Sequence, residues 1–338
     1  MLLCCTSCDN AVTPKTELQK FSAYSFDYFD TATVIYGYAE SQEEFDLVAD
    51  EILKQLGEYH RLYSIYHRFD NFENLCTINE LVQGEHRTVT VDQRIIDMLL
   101  YAKEMYQATG GMVNVAMGSV LSIWHNYRTI GMDDPENASL PPMDKLIAAS
   151  EHTDIANLVI DEENSTVTLT DPKMKLDVGA IAKGYATECV ARYLEDNGIS
   201  GYILNIGGNV RAVGPKGTGE PWTVGIENPI GDDYFAYLSI SGLSVVTSGS
   251  YQRYYYVDGE KYHHIIHPDT LMPSEGFLSV SVVCRDSGLG DALSTALFCL
   301  SLEEGLALVE SIDGVEAMWV TDKEDKTFSS GWNQYIKN

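Results

Sequence analysis

Short strand-like runs crowd the second half of the chain, and turns rather than helices join most of them. Each run is rich in β-branched or aromatic residues, and Gly, Asp or Pro separates it from its neighbours. The runs are residues 33–38, 166–170, 202–206, 222–226, 234–240, 243–246, 254–257 and 278–283. Strands joined by tight turns pair antiparallel, whereas a parallel sheet needs long crossovers. The sequence therefore predicts an α+β fold with a mainly antiparallel sheet.

Apolar residues at helical spacing predict the helices that pack on this sheet. Residues 41–59 and 92–105 each carry one apolar face, and residues 144–150 fit a short helix. Ser41 and Glu44 have the form of a capping box at the start of the first helix. Residues 129–142 contain acidic residues and prolines, so we expect a loop there.

The chain is strongly acidic, which limits the ligands it can attract. It has 50 Asp and Glu against 22 Lys and Arg, for a formal net charge of -28. A field of this sign repels polyanions and argues against nucleic-acid binding. It also repels phosphate-bearing small ligands, so a nucleotide site must supply local positive charge. A metal ion, a helix N-terminus or a placed lysine would provide it.

Three of the seven cysteines fall within the first eight residues. These are Cys4, Cys5 and Cys8. A short apolar segment and small residues accompany them, as at the end of a bacterial lipoprotein signal, and Cys8 is the favoured lipidation site. Residues 9–21 are polar and fit a tether. We therefore expect an extracytoplasmic protein anchored to the membrane by lipid, with residues 1–21 as signal remnant and tether and residues 22–338 as the folded domain. A chance resemblance to such a signal is the alternative.

Residues 176–186 form the most informative motif of the chain. They contain a strand end and a glycine turn that opens a helix, which runs to about Gly198. Such a turn presents unpaired backbone N–H groups and the positive end of the helix dipole to an anion, and Lys183 would add a formal charge. The alternative is that Gly179 and Gly184 only allow close packing on a sheet while Lys183 is solvated.

A second motif, residues 290–298, opens an apolar helix. Asp291 and Thr295 are four residues apart, so they share one helix face. A carboxylate and a hydroxyl are hard oxygen ligands suited to Mg2+, and substrate phosphates with water can complete the coordination. The alternative is that Asp291 caps the helix and Thr295 bonds back to a carbonyl.

A third motif, residues 248–270, reads as a hairpin with an aromatic strand and carries three histidines. His263 and His264 are adjacent on a strand and point to opposite faces, so at most one of them faces a given pocket, and His267 lies beyond in the turn. One catalytic or ligand-contacting histidine is therefore expected rather than a metal cluster. A packed or exposed ring is the alternative for each of them.

These three motifs, with residues 204–209 between the first and the third, resemble the ApbE family, the FAD:protein FMN transferases. The resemblance extends from about Phe29 to beyond the Asp291 helix. Weaker matches that support it are residues 29–31, residues 63–66 with 78–79, and residues 111–115 followed by Trp124. The resemblance implies a two-part α+β body that binds the flavin in a cleft between its parts.

The resemblance also implies site residues. The expected FAD contacts are Phe29, Thr31, Tyr66, Met112, Val113, Asn114, Asp177, Lys183, Gly207, Gly208, Ser248, Gly249 and Ile265. Tyr66 would pack against the flavin. The expected Mg2+ site comprises the Ala180 carbonyl, Asp291, Ser294 and Thr295, where Ser294 replaces a common acid. His264, and after it His263, is the hypothesised acceptor of the proton released by the attacking hydroxyl.

The implied reaction is Mg2+-dependent transfer of FMN from FAD to a Ser or Thr hydroxyl of an acceptor protein with an FMN-binding domain, with release of AMP. An FAD pyrophosphatase that uses water as acceptor, and a non-enzymatic FAD-binding lipoprotein, are the alternatives. The sequence departs from the family in two places near the histidines. His267 replaces a common Asp, and Leu271-Met272 replaces the usual Gly before Pro273.

Overall fold

The structure is a computed structural model, and it describes residues 17–80, 88–231 and 233–337. Its strands are β1 (Gln19–Tyr28), β2 (Thr31–Ala39), β3 (Thr88–Thr90), β4 (Leu158–Asp161), β5 (Thr166–Leu169), β6 (Tyr202–Ile206), β7 (Asn209–Val213), β8 (Trp222–Glu227), β9 (Tyr234–Ile240), β10 (Ser244–Gly249), β11 (Tyr254–Val257), β12 (Glu260–His263), β13 (Phe277–Cys284), β14 (Glu316–Thr321) and β15 (Lys326–Phe328). The main sheet has eight strands in the order β1-β2-β6-β7-β10-β13-β14-β15. Each neighbouring pair in it is antiparallel, which confirms the predicted fold class.

The predicted helices are present, and one further long helix was not predicted. The helices are α1 (Gln42–Tyr63), α2 (Leu75–Glu80), α3 (Gln93–Ala108), α4 (Gly118–Asp133), α5 (Met143–Ser150), α6 (Ala182–Asp196), α7 (Ser287–Cys299) and α8 (Leu302–Glu310). The predicted loop at residues 129–142 is partly wrong, because α4 continues to Asp133 before a short 3-10 turn. At the start of α1, Ser41 Oγ accepts from the Glu44 N–H at 3.2 Å, while Glu44 Oε2 accepts from the Glu40 N–H at 2.8 Å.

The main sheet is covered on both faces. Adjacent side chains of a strand point to opposite faces. On β6, Leu204 packs with α1 and α6, whereas its neighbour Ile203 packs with the hairpin β8–β9. On β13, Val282 packs with α7 and Val283 with the same hairpin. The body therefore has three layers, with helices on one face of the sheet and the hairpin on the other.

A second, smaller hydrophobic cluster joins α4, α5 and the hairpin β11–β12. Its buried members are Met117, Val120, Trp124, Leu146, Tyr255, Ile266 and Leu271. Leu271 is one of the two residues expected to replace a glycine of the resembled family, and its φ of 60° is the left-handed conformation that favours Gly. The strain, on the order of 1–2 kcal/mol, is offset by burial of the side chain and by the Trp124 Nε1–H, which donates to the Leu271 carbonyl at 2.8 Å. These contacts hold the turn in this conformation without a glycine at residue 271.

A buried ionic network ties α6, α7 and β7 together. The Glu188 carboxylate accepts from Arg211 Nε at 3.0 Å and from the Ser287 N–H at 2.9 Å. It also accepts from Arg192 Nε at 2.9 Å, and Arg211 Nη2 donates to Glu195 at 2.9 Å. Arg211 is only 1% exposed. This network fixes the start of α7 against α6.

The N-terminal predictions are only partly covered by the described residues. Strand β1 begins at Gln19, so residues 19–21 belong to the sheet and not to the expected tether. Cys4, Cys5 and Cys8 lie outside the described residues. Among the residues that the structure describes, no helix combines the length and the apolar character needed to cross a membrane.

Candidate active site

A cavity of about 510 Å3 lies between the sheet body and the α4 cluster. One side, here called the sheet wall, consists of Phe29, Asp30, Thr31, Lys183, Gly207, Asn209, Thr247, Ser248, Gly249, Asp291 and Thr295. The other side, here called the α4 wall, consists of Leu121, Trp124, His125, Arg128, Gln252, Arg253, His264, Ile265 and Ile266. The rest of the lining comprises His60, residues 63–66, residues 112–115, Met117, residues 177–180 and Ala182. The cavity thus occupies the position expected for a cleft between two parts.

Most of the residues predicted from the sequence line this cavity. They are Phe29, Thr31, Tyr66, Met112, Val113, Asn114, Asp177, Ala180, Lys183, Gly207, Ser248, Gly249, His264, Ile265, Asp291 and Thr295. The structure does not place Gly208, His263 or Ser294 in the lining. Gly208 instead donates its N–H to Asn205 Oδ1 at 3.0 Å in the β6–β7 turn. Its neighbour Gly207 has a φ of 55°, and a Cβ there would lie 2.2 Å from Thr31 Oγ1.

The glycine turn before α6 carries a carboxylate into the cavity. The Gly179 N–H donates to Asp177 Oδ1 at 2.9 Å. Burial raises the pKa of the Asp177 carboxyl, and this N–H together with the charges of His125 and Arg128 opposes the rise. The turn therefore presents an oriented acceptor to a ligand.

Asp291 joins the start of α6 to α7. Its side chain is 4% exposed, and Oδ2 accepts from the Gly184 N–H at 2.8 Å. A Cβ on Gly184 would lie 2.3 Å from the Ser287 carbonyl oxygen, so this glycine is needed for the close crossing of the two helices. The alternative that Asp291 caps its own helix is wrong, because Asp286 is the N-cap of α7. Asp291 instead satisfies an N–H in the first turn of α6.

The other carboxylate oxygen of Asp291, Oδ1, makes only long contacts with its neighbours. Oδ1 lies 3.6 Å from Lys183 Nζ and 3.5 Å from Asn209 Nδ2. Burial raises the pKa of Asp291, and the charge of Lys183 is the largest opposing influence. Thr295 Oγ1 lies 3.5 Å from Ser248 Oγ. These oxygens are available to a cation that can replace the long contacts with short ones.

The oxygen atoms around Asp291 are of the chemical type that Mg2+ prefers as ligands. Asn209 Oδ1 is buried and has no hydrogen-bond partner among the described residues, so an oxygen donor next to Asp291 is unsatisfied. Across residues 17–80, 88–231 and 233–337, no group of three or more His, Cys, Asp or Glu could hold a metal. One carboxylate with neutral oxygens suits an ion that keeps water and substrate phosphates in its shell. Ser294 lies behind this set, where its Oγ bonds to Ser248 Oγ at 2.8 Å and to the Asp291 carbonyl at 3.0 Å.

The two adjacent histidines have different environments. Both ring nitrogens of His263 are used, since Nε2 donates to the Ser274 carbonyl at 2.7 Å and Nδ1 accepts from the Ile265 N–H at 3.2 Å. The ring is buried against Phe298, so our second catalytic candidate does not reach the cavity. His264 does line it, and its Nδ1 lies 3.2 Å from the Arg253 carbonyl. A carbonyl only accepts, so Nδ1 carries the proton and the lone pair is on Nε2.

The departure at His267 does not alter the cavity lining. The His267 Nδ1 accepts from the Asp269 N–H at 3.1 Å, and its own N–H donates to the Met272 carbonyl at 2.9 Å. These bonds hold the turn that follows β12. His267 itself does not line the cavity.

Sequence reasoning missed the positive charges of the α4 wall. Arg128 and Arg253 both line the cavity, and Arg128 Nη2 lies 3.0 Å from His125 Nδ1. The His125 ring also packs on Tyr66, with ring centroids 5.2 Å apart. Arg253 stands inside the third motif, but nothing local in the sequence indicates that it lines the same cavity as Arg128. Asn209 was missed in the same way, although it follows the predicted Gly207 closely.

Burial and both arginines lower the pKa of His264 to about 3. We therefore expect its imidazole to stay neutral at physiological pH in the ligand-free protein. Arg253→Gln should raise this pKa, because it removes one positive charge that disfavours the imidazolium. NMR titration of the His264 ring in both proteins measures the effect. Titration near the ordinary histidine pKa in the unmodified protein would contradict this description of the site.

Comparisons with known proteins agree with the fold. The sequence model of the ApbE family matches residues 29–319. An FAD:protein FMN transferase of Klebsiella pneumoniae (strain 342) is 32% identical over 278 residues, which cover 79% of this chain and 84% of the relative. One of Treponema pallidum (strain Nichols) is 33% identical over 266 residues, covering 74% of this chain and 71% of the relative. The crystal structure of the ApbE protein from Thermotoga maritima MSB8 has a TM-score of 0.81 at 28% identity, and the match covers 95% of this chain and 100% of that chain. Because the family match spans most of its length, this chain belongs to the ApbE family.

Proposed function

We propose that this protein is an FAD:protein FMN transferase that attaches FMN to a Ser or Thr hydroxyl of an acceptor protein and releases AMP. The observation that carries the proposal is one cavity that combines the Asp291, Thr295 and Lys183 cluster with the unprotonated Nε2 of His264. The names of the curated relatives support the same activity. The acceptor would carry the modified hydroxyl on an FMN-binding domain.

The proposed reaction is a phosphoryl transfer. The acceptor hydroxyl oxygen forms a bond to the FMN-side phosphorus of FAD, and the bond from that phosphorus to the bridging oxygen of AMP breaks. His264 Nε2 takes the hydroxyl proton, and the leaving AMP oxygen carries away the electron pair of the broken bond. Lys183, in the first turn of α6, adds positive charge where the phosphates would lie.

Mg2+ is part of the proposal, and the residues that would hold it are the Ala180 carbonyl, Asp291 and Thr295. Asn209 Oδ1 is a further oxygen next to this set. When bound, the ion would offset the charge of the pyrophosphate oxygens. Lys183 is 3.6 Å from Asp291 Oδ1 and is therefore placed to share that charge with the ion.

The rest of the lining suits an FAD molecule. Tyr66 is half-exposed and packs on His125, so its free face can stack on the flavin. Phe29 and residues 112–114 supply apolar surface and backbone groups, and Asp177 supplies an acceptor. The proposal therefore includes FAD as substrate in this cavity.

One experiment separates transfer from hydrolysis. The protein is incubated with FAD and Mg2+, with and without a candidate acceptor domain, and the products are analysed by mass spectrometry. Transfer gives an acceptor whose Ser or Thr carries FMN, together with AMP, and little free FMN when the acceptor is left out. FMN and AMP in equal amounts without acceptor, and no labelled acceptor, would instead assign an FAD pyrophosphatase.

We also propose that the protein is anchored to the membrane by lipid outside the cytoplasm, with Cys8 as the modified residue. The support is the pattern of small residues and cysteines at residues 4–8. In the native host, expressed from its full gene, the protein should incorporate a palmitate analogue, and Cys8→Ser should move it to the soluble fraction. Labelling that survives Cys8→Ser would point to Cys4 or Cys5, and no labelling would end the proposal.

A further inference from the structure

The α4 wall holds two arginines that form no ion pair among the described residues, although the charge of Asp177 in the same cavity acts on Arg128. Within residues 17–80, 88–231 and 233–337, neither Arg128 nor Arg253 forms an ion pair, whereas Arg94, Arg192 and Arg211 each bind a carboxylate at 3.0 Å or less. Arg128 is half-buried and Arg253 is exposed, and both line the cavity. In a chain with 50 acidic residues, pairing with a carboxylate would be easy to achieve. Arg61 and Arg285 also lack an ion pair in the described part of the chain, but neither lines the cavity, so Arg128 and Arg253 are the ones that can bind an anion there.

Placing these charges together is unfavourable in the empty protein. Burial lowers the pKa of Arg128, and the charge of Arg253 lowers it further. An anion between the two guanidinium groups would remove this repulsion and satisfy their donors. Guanidinium groups match phosphate oxygens in a bidentate geometry, and they are weakly hydrated, so partial burial suits them.

The position of the two arginines in the cavity indicates which anion they would bind. Asp291, Thr295 and Lys183 belong to the sheet wall, and the arginines belong to the α4 wall. A diphosphate that reaches the sheet wall lies in the same cavity as the arginines. We propose that Arg128 and Arg253 form an anion-binding pair that holds the pyrophosphate of FAD from the α4 wall. This proposal rests on the proposed function, because it assumes that FAD is the ligand.

The pair also links substrate binding to the base. His264 lies beside both arginines, and their charges disfavour its protonated form. Phosphate oxygens bound to the arginines would offset these charges, so the affinity of Nε2 for a proton rises when FAD is in place. The imidazole then becomes a better proton acceptor only when there is a phosphorus to attack. Arg128 and Arg253 are therefore positioning residues that also tune His264.

Binding measurements without metal test the pair directly. Arg128→Gln and Arg253→Gln are compared with the unmodified protein by calorimetry in EDTA, with FAD and riboflavin as ligands. We expect each change to weaken FAD binding about ten- to a hundredfold, since hydrogen bonds to charged groups are the strong ones, and to leave riboflavin binding unchanged. Arg128→Lys keeps the charge but loses the planar guanidinium group that can donate two parallel hydrogen bonds, so it should weaken FAD binding less. Arg285→Gln is the matched control, because Arg285 is exposed and does not line the cavity.

The outcomes separate this proposal from the proposed function. If the unmodified protein fails to bind FAD both in EDTA and with added Mg2+, the proposed function fails. If it binds FAD and the glutamine variants bind it equally well, only the arginine pair is wrong. An equal loss for FAD and riboflavin would mean that the arginines contact the flavin ring, and an unchanged FAD affinity with a raised KM for the acceptor would mean that they bind the acceptor. Either result overturns the pyrophosphate assignment.

Discussion

Asp291→Asn is expected to reduce FMN transfer about a hundredfold or more while the fold stays intact. A bound metal contributes several kcal/mol of charge stabilisation to such a reaction, and the change removes the formal charge that would hold it. Asparagine keeps an oxygen that can accept from the Gly184 N–H, so the contact between α6 and α7 survives. Thr295→Val keeps the side-chain shape and removes only a neutral hydroxyl, and it should act in the same direction more weakly.

The measurement is flavinylation of the acceptor across a Mg2+ titration, with thermal melting as the control for folding. Asp286→Asn is the matched substitution, because Asp286 is the N-cap of the same helix, α7, and lies outside the cavity. Asparagine caps a helix about as well as aspartate, so this variant should transfer FMN at nearly the normal rate. Near-normal transfer by well-folded Asp291→Asn at low Mg2+ would remove the metal assignment.

The parts of the site that sequence could predict are those in which local pattern and chemistry coincide. Asp177 and Lys183 frame one glycine turn, and Asp291 and Thr295 share one helix face, so spacing made each pair a candidate site. The resemblance to the ApbE family, and not spacing alone, favoured a ligand-binding role over packing and capping. Alternation along a strand also predicted that only one of His263 and His264 would face the pocket. The pattern did not decide which of the two, because that depends on contacts with Ser274 and Phe298.

The missed residues depend on contacts between distant segments. Arg128 and Arg253 line one cavity because α4 packs on the hairpin β11–β12 through Trp124 and Tyr255. Helix α4 was not predicted, and one reason is that its last turn contains Gly131 and Asp133, which are typical of a loop. The packing of α4 against Tyr255 requires glycine at residue 131, since a Cβ there would lie 2.5 Å from the Tyr255 ring. The helical conformation at the end of α4 therefore depends on packing and not on local propensity.

The first residues of strand β1 were predicted as part of the tether for a different reason. Strand β1 is at the edge of the main sheet, and most of its residues are exposed or half-buried. An edge strand with a polar outer face has little hydrophobic alternation, so residues 19–21 look like a continuation of a polar tether. Pairing with β2 is what makes them a strand, and that pairing is set by the hairpin at Phe29 and Asp30, both with positive φ.

The ionic network behind the site should be one of the most sensitive places in the fold. We expect Arg211→Ala to lower the free energy of unfolding by about 3–5 kcal/mol, because it leaves the buried Glu188 carboxylate without its most buried partner. Arg192→Ala removes the other arginine bound to Glu188, but that side chain is 61% exposed, so the loss should be below about 1 kcal/mol. Urea denaturation followed by circular dichroism measures both variants.

A double variant tests whether the uncompensated charge causes the loss. Arg211→Met keeps much of the side-chain volume but leaves Glu188 charged and poorly paired, so it should be nearly as unstable as Arg211→Ala. Adding Glu188→Gln removes the charge and keeps an acceptor for the Ser287 N–H, so part of the lost stability should return. Equal losses for Arg211→Ala and Arg192→Ala, or no recovery in the double variant, would mean that packing around Arg211, rather than its charge, holds α6 and α7 in place for the site.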